Sequence, residues 1–277
     1  MGGRYLIAVP SRVCRACELR YNVRRRRSHS IRSAPFAPGL PAFNRIKGST
    51  MPAPATPLDE RLPLLLSLNA GYVDTLGFIA LHGLFSAHVT GNFVTIGYAL
   101  GNGASGAWTK LAALPMFCLG VFLARLYGQA RRDAGKPAFM RLLTAKTLLL
   151  CVAAALALAL GPFAPGDSWG LFATGMTLVL AMSIQNAVHR VHLGAAPPST
   201  LMTGTTTQIM LDLADAARGQ ADEAARRRMG RMGRAVLAFA IGCGAAALLH
   251  VSIGLWAFAL PPLVSLAGQA LARPYPG

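Results

Sequence analysis

Residues 70–100, AGYVDTLGFIALHGLFSAHVTGNFVTIGYAL, set one carboxylate (Asp74), two histidines (His82 and His88) and a Thr90-Gly91-Asn92 turn inside an almost continuously apolar run. Burying such groups in hydrocarbon is costly unless they find partners, so polar residues inside a membrane mark binding sites, proton relays or caps. Asp74 has the chemistry to carry a proton, hold a coupling ion or contact a solute; its structural alternative is to cap a half-helix or pair with a donor on another helix. A weaker copy follows in residues 181–211, AMSIQNAVHRVHLGAAPPSTLMTGTTTQIML, with Gln185 and Asn186 upstream of a Thr203-Gly204-Thr205 turn. Thr90 follows Asp74 by 16 residues and Thr203 follows Asn186 by 17. The pattern reads as two copies of one unit, each holding a polar site within the membrane. Gln185 and Asn186 do not titrate, so proton chemistry is expected in the first copy alone.

The composition requires such a setting. The chain has 277 residues, 53% of them hydrophobic and 13% charged, and a mean hydropathy of +0.44. That is too apolar and too poor in charge for an ordinary soluble domain. The formal charge of +17 is unevenly divided: residues 1–50 carry 11 Lys/Arg and one acid, the remainder 16 and 9. Basic residues interleaved with aromatics are missing, which argues against nucleic-acid binding. Residues 1–57, with Arg24-Arg25-Arg26-Arg27 and scattered Ser and Pro, lack an apolar core for a secretory signal and read as a disordered basic leader. Met51 is a candidate true start; a basic arm on anionic lipid is the functional alternative. Three of the five cysteines, Cys118, Cys151 and Cys243, sit in apolar segments, so no disulfide framework is expected. Cys14-x-x-Cys17 has no second pair to complete a zinc site.

Eight apolar segments follow. Those at Leu62–Leu84, Trp108–Tyr127, Leu142–Leu160, Trp169–Val188, Ala235–Val251 and Ser252–Ala272 are long enough to span a bilayer. Two others, Ser86–Leu100 and Thr200–Ala217, carry the TG turns. Charge decides whether these two cross, because Lys and Arg collect in cytoplasmic loops. The stretches around Arg61, Arg125–Arg141 and Arg218–Arg234 are basic, while the loops at 101–107, 161–168 and 250–252 contain no Lys or Arg. All basic loops share one side only if the TG segments enter and leave on the same face, the first outside and the second inside. The expected fold is therefore an all-α polytopic membrane protein: a domain over 58–277 with six spanning helices, two re-entrant or half-spanning segments, and an inverted repeat of 62–161 and 168–272. Inverted repeats with broken helices recur in transporters, with the site near the midplane. Gly97 with Gly101, and Ala238, Gly242 and Ala246, fall four apart and suit close helix packing. Pro261-Pro262 is expected to kink the last helix, and Lys110 and Lys146 to snorkel from segment ends.

In a re-entrant segment the TG turn lies at depth, with the N-terminus of the returning helix aimed at the membrane centre. Free backbone N–H groups and the positive end of the helix dipole favour anions or polar oxygens there. Thr90, Asn92, Thr203 and Thr205 can cap those ends, while Gly91 and Gly204 permit the turn; lining a site and pure capping use the same hydrogen bonds. His82 and His88 flank the first turn, and His189 and His192 lie at i, i+3 spacing, but no Cys or carboxylate completes a metal set. No nucleophile elbow, P-loop, Rossmann glycine set or HExxH is present, so neither enzyme activity nor a cofactor is expected.

The combination AGYVDTLGFIALHGLFSAHVTGNFV with SIQNAVHR and LMTGTTTQ resembles the bacterial YoaK-like family of small integral membrane proteins, a domain of unknown function, over Leu62 to the C-terminus. The resemblance implies a plasma-membrane location. This chain departs from it by the basic leader and by His88 before the VTGN motif. The expectation drawn from the residues is a transporter or channel for a small polar or anionic solute or ion, with both termini cytoplasmic. Asp74, His88, Thr90, Gly91, Asn92, Gln185, Asn186, Thr203, Gly204 and Thr205 would surround its pathway. Its partners would be the bilayer and the solute, with no nucleic acid, and a homo-oligomer is left open. The alternative is a non-transporting binding or scaffold protein whose polar residues serve helix packing.

Overall fold

In the computed structural model, which describes residues 59–102 and 106–273, the apolar segments fold into eight α-helices. All described residues belong to the unit Pro52–Gly277. The leader 1–57, Met51 and the Cys14/Cys17 pair lie outside them. The helices are α1 (Arg61–Ala80), α2 (Gly91–Asn102), α3 (Ala107–Asp133), α4 (Phe139–Leu160), α5 (Trp169–His192), α6 (Met202–Ala217), α7 (Glu223–Ile253) and α8 (Leu260–Ala272), with a 3-10 turn at Gly254–Ala259 before the last. Among the described residues there are no strands.

Five stretches are long and apolar enough to cross a membrane: α1, α3, α4, α5 and Glu223–Ala272. The fifth folds back on itself. Glu60 beside the start of α1 pairs with Arg234 of α7 at 3.3 Å, so these two helices start at one end. Tyr72 in the middle of α1 donates to the Ala257 carbonyl at 2.9 Å, while Gly268 of α8 packs against Leu62. α8 is therefore antiparallel to α1, and the chain reverses at Gly254, whose φ of 59° lies in the left-handed region that favours glycine. The fifth stretch is thus a helical hairpin, and the protein is a polytopic helical membrane protein. Pro261 and Pro262 do not kink a helix; they start one, in the first turn of α8, where their missing N–H groups would be unpaired anyway.

Neither TG segment forms a helix long enough to span. α2 has 12 residues and α6 has 16, against the roughly 20 needed to span. Each follows a non-helical leg, 81–90 or 193–201. α1 stops at Ala80 because His82 (φ 53°) and Gly83 (φ 88°) turn the chain in the left-handed region. His82 Nε2 then meets the Phe163 carbonyl at 2.8 Å, and Asp167 caps the start of α3, so these loops share one end of the molecule. At the other end Phe139 contacts His192 and Glu60 meets Arg234. Apart from Lys110 and Lys146, the Lys and Arg of the described residues lie toward this second, basic end.

Between lipid-facing helices apolar burial gives little net drive, so close backbone packing and hydrogen bonds hold the bundle together. α1 and α7 cross most intimately. A Cβ on Gly242 would lie 2.1 Å from the Leu68 carbonyl oxygen, and one on Gly71 2.2 Å from that of Phe239. A Cβ on Gly97 or Gly101, by contrast, would meet nothing within 4 Å among the described residues, so neither marks a close helix contact there.

Candidate functional site

Asp74 is one and a half turns from the end of α1 and 4% exposed. Its Oδ1 accepts the backbone N–H groups of Ser86 (2.8 Å), Ala87 (2.7 Å) and His88 (3.4 Å), and its Oδ2 meets His88 Nδ1 at 2.7 Å. The carboxylate therefore anchors the first bend. Asn92, 1% exposed, closes the same bend from the far side, its Oδ1 accepting from Phe85 N–H (2.8 Å) and its Nδ2 donating to Phe85 O (2.9 Å). Gly91 must be small here, since a Cβ would come within 2.8 Å of the Phe85 ring. The N–H groups of Gly91, Asn92 and Phe93 are already bonded to the carbonyls of His88, Val89 and Thr90. The fan of free amides expected at the start of α2 is thus spent on the bend, and anion binding there loses its basis.

The second bend is built alike with neutral groups. Asn186 Oδ1 accepts from the Thr200 hydroxyl at 2.7 Å, and Gln185 Nε2 donates to Ser199 Oγ (3.1 Å) and to the Leu66 carbonyl of α1 (2.9 Å). Both contacts within the half bridge 14 residues, as Asp74 to His88 does. Ser199 and Thr200 escaped the sequence reading, and that shared spacing was the signal that could have found them.

The two bends meet at His88. Its imidazole, held by Asp74, faces the second bend near Thr200, with the Phe239 ring edge-on at 5.4 Å. Beside this junction a cleft of about 310 Å³ is lined by Asn186, His189, Ser199, Thr200, Phe117 and Val121 among others. His189 offers its Nδ1 without a partner.

The remaining expected residues lie elsewhere. Thr90, Thr203 and Gly204 are exposed on the outside of the bends, and Thr205, though buried, returns its hydroxyl to the Leu201 carbonyl within its own helix. The histidines are employed singly, and among the described residues no three His, Cys, Asp or Glu gather as metal ligands. Lys146 does not snorkel: it is 0% exposed. The arrangement supplies an imidazole held at His88 and hydroxyl and amide groups at the cleft wall.

Residues 62–271 match the family described as "Protein of unknown function (DUF1275)", and the chain belongs to it. It is 31% identical over 155 residues to the "UPF0700 transmembrane protein YoaK" of Bacillus subtilis (strain 168), an alignment covering 54% of this chain and 64% of that relative. The chain thus spans less than two thirds of the relative it matches. No solved structure matches.

Proposed function

We propose that this member of the DUF1275 family is a transporter or channel that passes a small polar or anionic solute between two inverted halves. The carrying observation is the junction of the bends: His88, anchored by Asp74, near Thr200 and beside a cleft whose largely apolar wall carries Asn186, His189, Arg190, Ser199 and Thr200. Helix contacts fit two related halves, because α1 packs on α7 as α5 packs on α3, α1 on α8 as α5 on α4, and α2 on α3 as α6 on α7. The basic end then faces the cytoplasm of a bacterial cell, with both termini on the cytoplasmic side of its plasma membrane. No chemistry is performed on the solute, and no cofactor or nucleic acid takes part.

The test uses proteoliposomes and a panel of small solutes. Asn186→Leu removes an amide from the cleft wall and is expected to slow uptake at least tenfold, with helix content unchanged. Uptake equal to wild type for every solute that the wild type moves would overturn the assignment. A second reading, a scaffold without a pathway, is favoured by one observation: Asp74 and Asn92 are consumed in closing the first bend. A cysteine at position 200 separates the two, since only a hydrated cleft lets hydrophilic thiol reagents reach it.

A further inference from the structure

Lys146 of α4 is 0% exposed, and its Nζ has no hydrogen-bond partner. Among the other buried side chains with unpaired atoms are Asn69 of α1, 1% exposed, with both amide atoms unpaired, and Gln185 of α5, 0% exposed, with Oε1 unpaired. The three lie at nearly one depth. α4 and α5 are antiparallel, with Phe139 opposite His192 and Leu160 opposite Gly170, which sets Lys146 level with Gln185. Gln185 reaches the Leu66 carbonyl, and Asn69 stands about one turn further along α1. Thr147 contacts Ser265 of α8 at 2.7 Å, so the fourth wall of this level is also polar.

Leaving an amino group and three amide atoms unpaired inside a helix bundle is expensive. No carboxylate or other charged side chain acts on Lys146. The inventory of unmet groups defines what would fit: the Lys146 amino group, which an anion beside it would keep protonated, and the Asn69 N–H groups need acceptors, while Asn69 Oδ1 and Gln185 Oε1 need a donor. We infer that Asn69, Lys146 and Gln185 form an internal binding site for a small monovalent oxyanion carrying its own hydroxyl, as hydrogencarbonate and glycolate do. The oxyanion accepts from Lys146 and Asn69, and its O–H donates to an amide oxygen. The site adjoins the cleft through Gln185, which donates to Ser199 of the cleft wall. The inference builds on the transport reading by naming a solute class, but its test measures binding alone.

Purified full-length protein in detergent is heated in the presence of sodium glycolate, hydrogencarbonate, acetate or chloride at equal ionic strength. Glycolate and hydrogencarbonate are expected to raise the melting temperature by several degrees, and acetate and chloride by much less, since ligands that bind the folded state alone stabilise it. Lys146→Met, which removes a buried unpaired amine at similar volume, is expected to fold and to lose this response. Should that variant not fold, Asn69→Leu gives the same reading through a weakened response. A response in Lys146→Met equal to wild type, or none in wild type, overturns the site; equal stabilisation by acetate or chloride overturns the hydroxyl-bearing class. Transport that persists without any such binding overturns this inference and leaves the proposed function standing, whereas binding without transport does the reverse.

Discussion

Asp74 carries more of the first bend than any other side chain, because it accepts from three backbone N–H groups and one imidazole. Asp74→Leu strands those donors in a buried place and is expected to cost roughly 3–5 kcal/mol, while Asp74→Asn keeps one oxygen for the amides and is expected to cost about 1 kcal/mol. Thermal unfolding of the two variants checks the order. Asp167 differs, lying in the loop 161–168. Burial pushes its carboxyl up, but the Thr109 hydroxyl, the N–H groups of Thr109 and Trp108, and the Lys110 charge together hold it below the usual carboxylate range. A depressed pKa gives stability that is present above the unfolded value of about 3.9 and is lost as pH falls through the folded one. Wild type is therefore expected to melt above Asp167→Asn by a constant margin from neutral pH down to about 5, a margin that vanishes in stronger acid. The sequence made Asp74 conspicuous as a lone acid in an apolar run, yet gave no sign that its partners were backbone amides twelve to fourteen residues away. Lys146 was misplaced because hydropathy along one helix does not tell which face turns inward.

The same split holds for the elements. That the TG segments stop short of a full helical span was suggested by loop charge, since letting either one cross moves a basic loop to the other side. Which small residues mattered was not readable, because spacing of four marks a face without naming what it faces. Gly242 meets the α1 backbone, and Gly242→Ala is expected to lower the yield of folded protein sharply, its Cβ having no room beside the Leu68 carbonyl. Gly97→Ala, on a helix surface with no neighbour within 4 Å, is expected to be neutral or to stabilise α2 by about 0.5–1 kcal/mol. Size-exclusion profiles and melting curves of both variants make the comparison. The proline pair shows the limit of motif reading: its chemistry was right for a helix boundary, but the 3-10 turn that precedes it came from the reversal of the chain onto α1.

For the whole molecule, the central claim is that two bends, one from each half, converge on a hydrated junction. An orientation follows from it: a reporter fused to the C-terminus is expected to be active only in its cytoplasmic form, given where the basic end lies. The junction itself is tested most directly by cysteines at positions 88 and 200 in a background free of Cys14, Cys17, Cys118, Cys151 and Cys243. Treated in membranes with a short hydrophilic bis-thiol linker, the double variant is expected to form a rapid intramolecular cross-link, with each single variant labelled by the corresponding monofunctional reagent. Labelling of both single variants without cross-linking of the pair, or no labelling at all, would contradict the convergence of the bends and the pathway built on it.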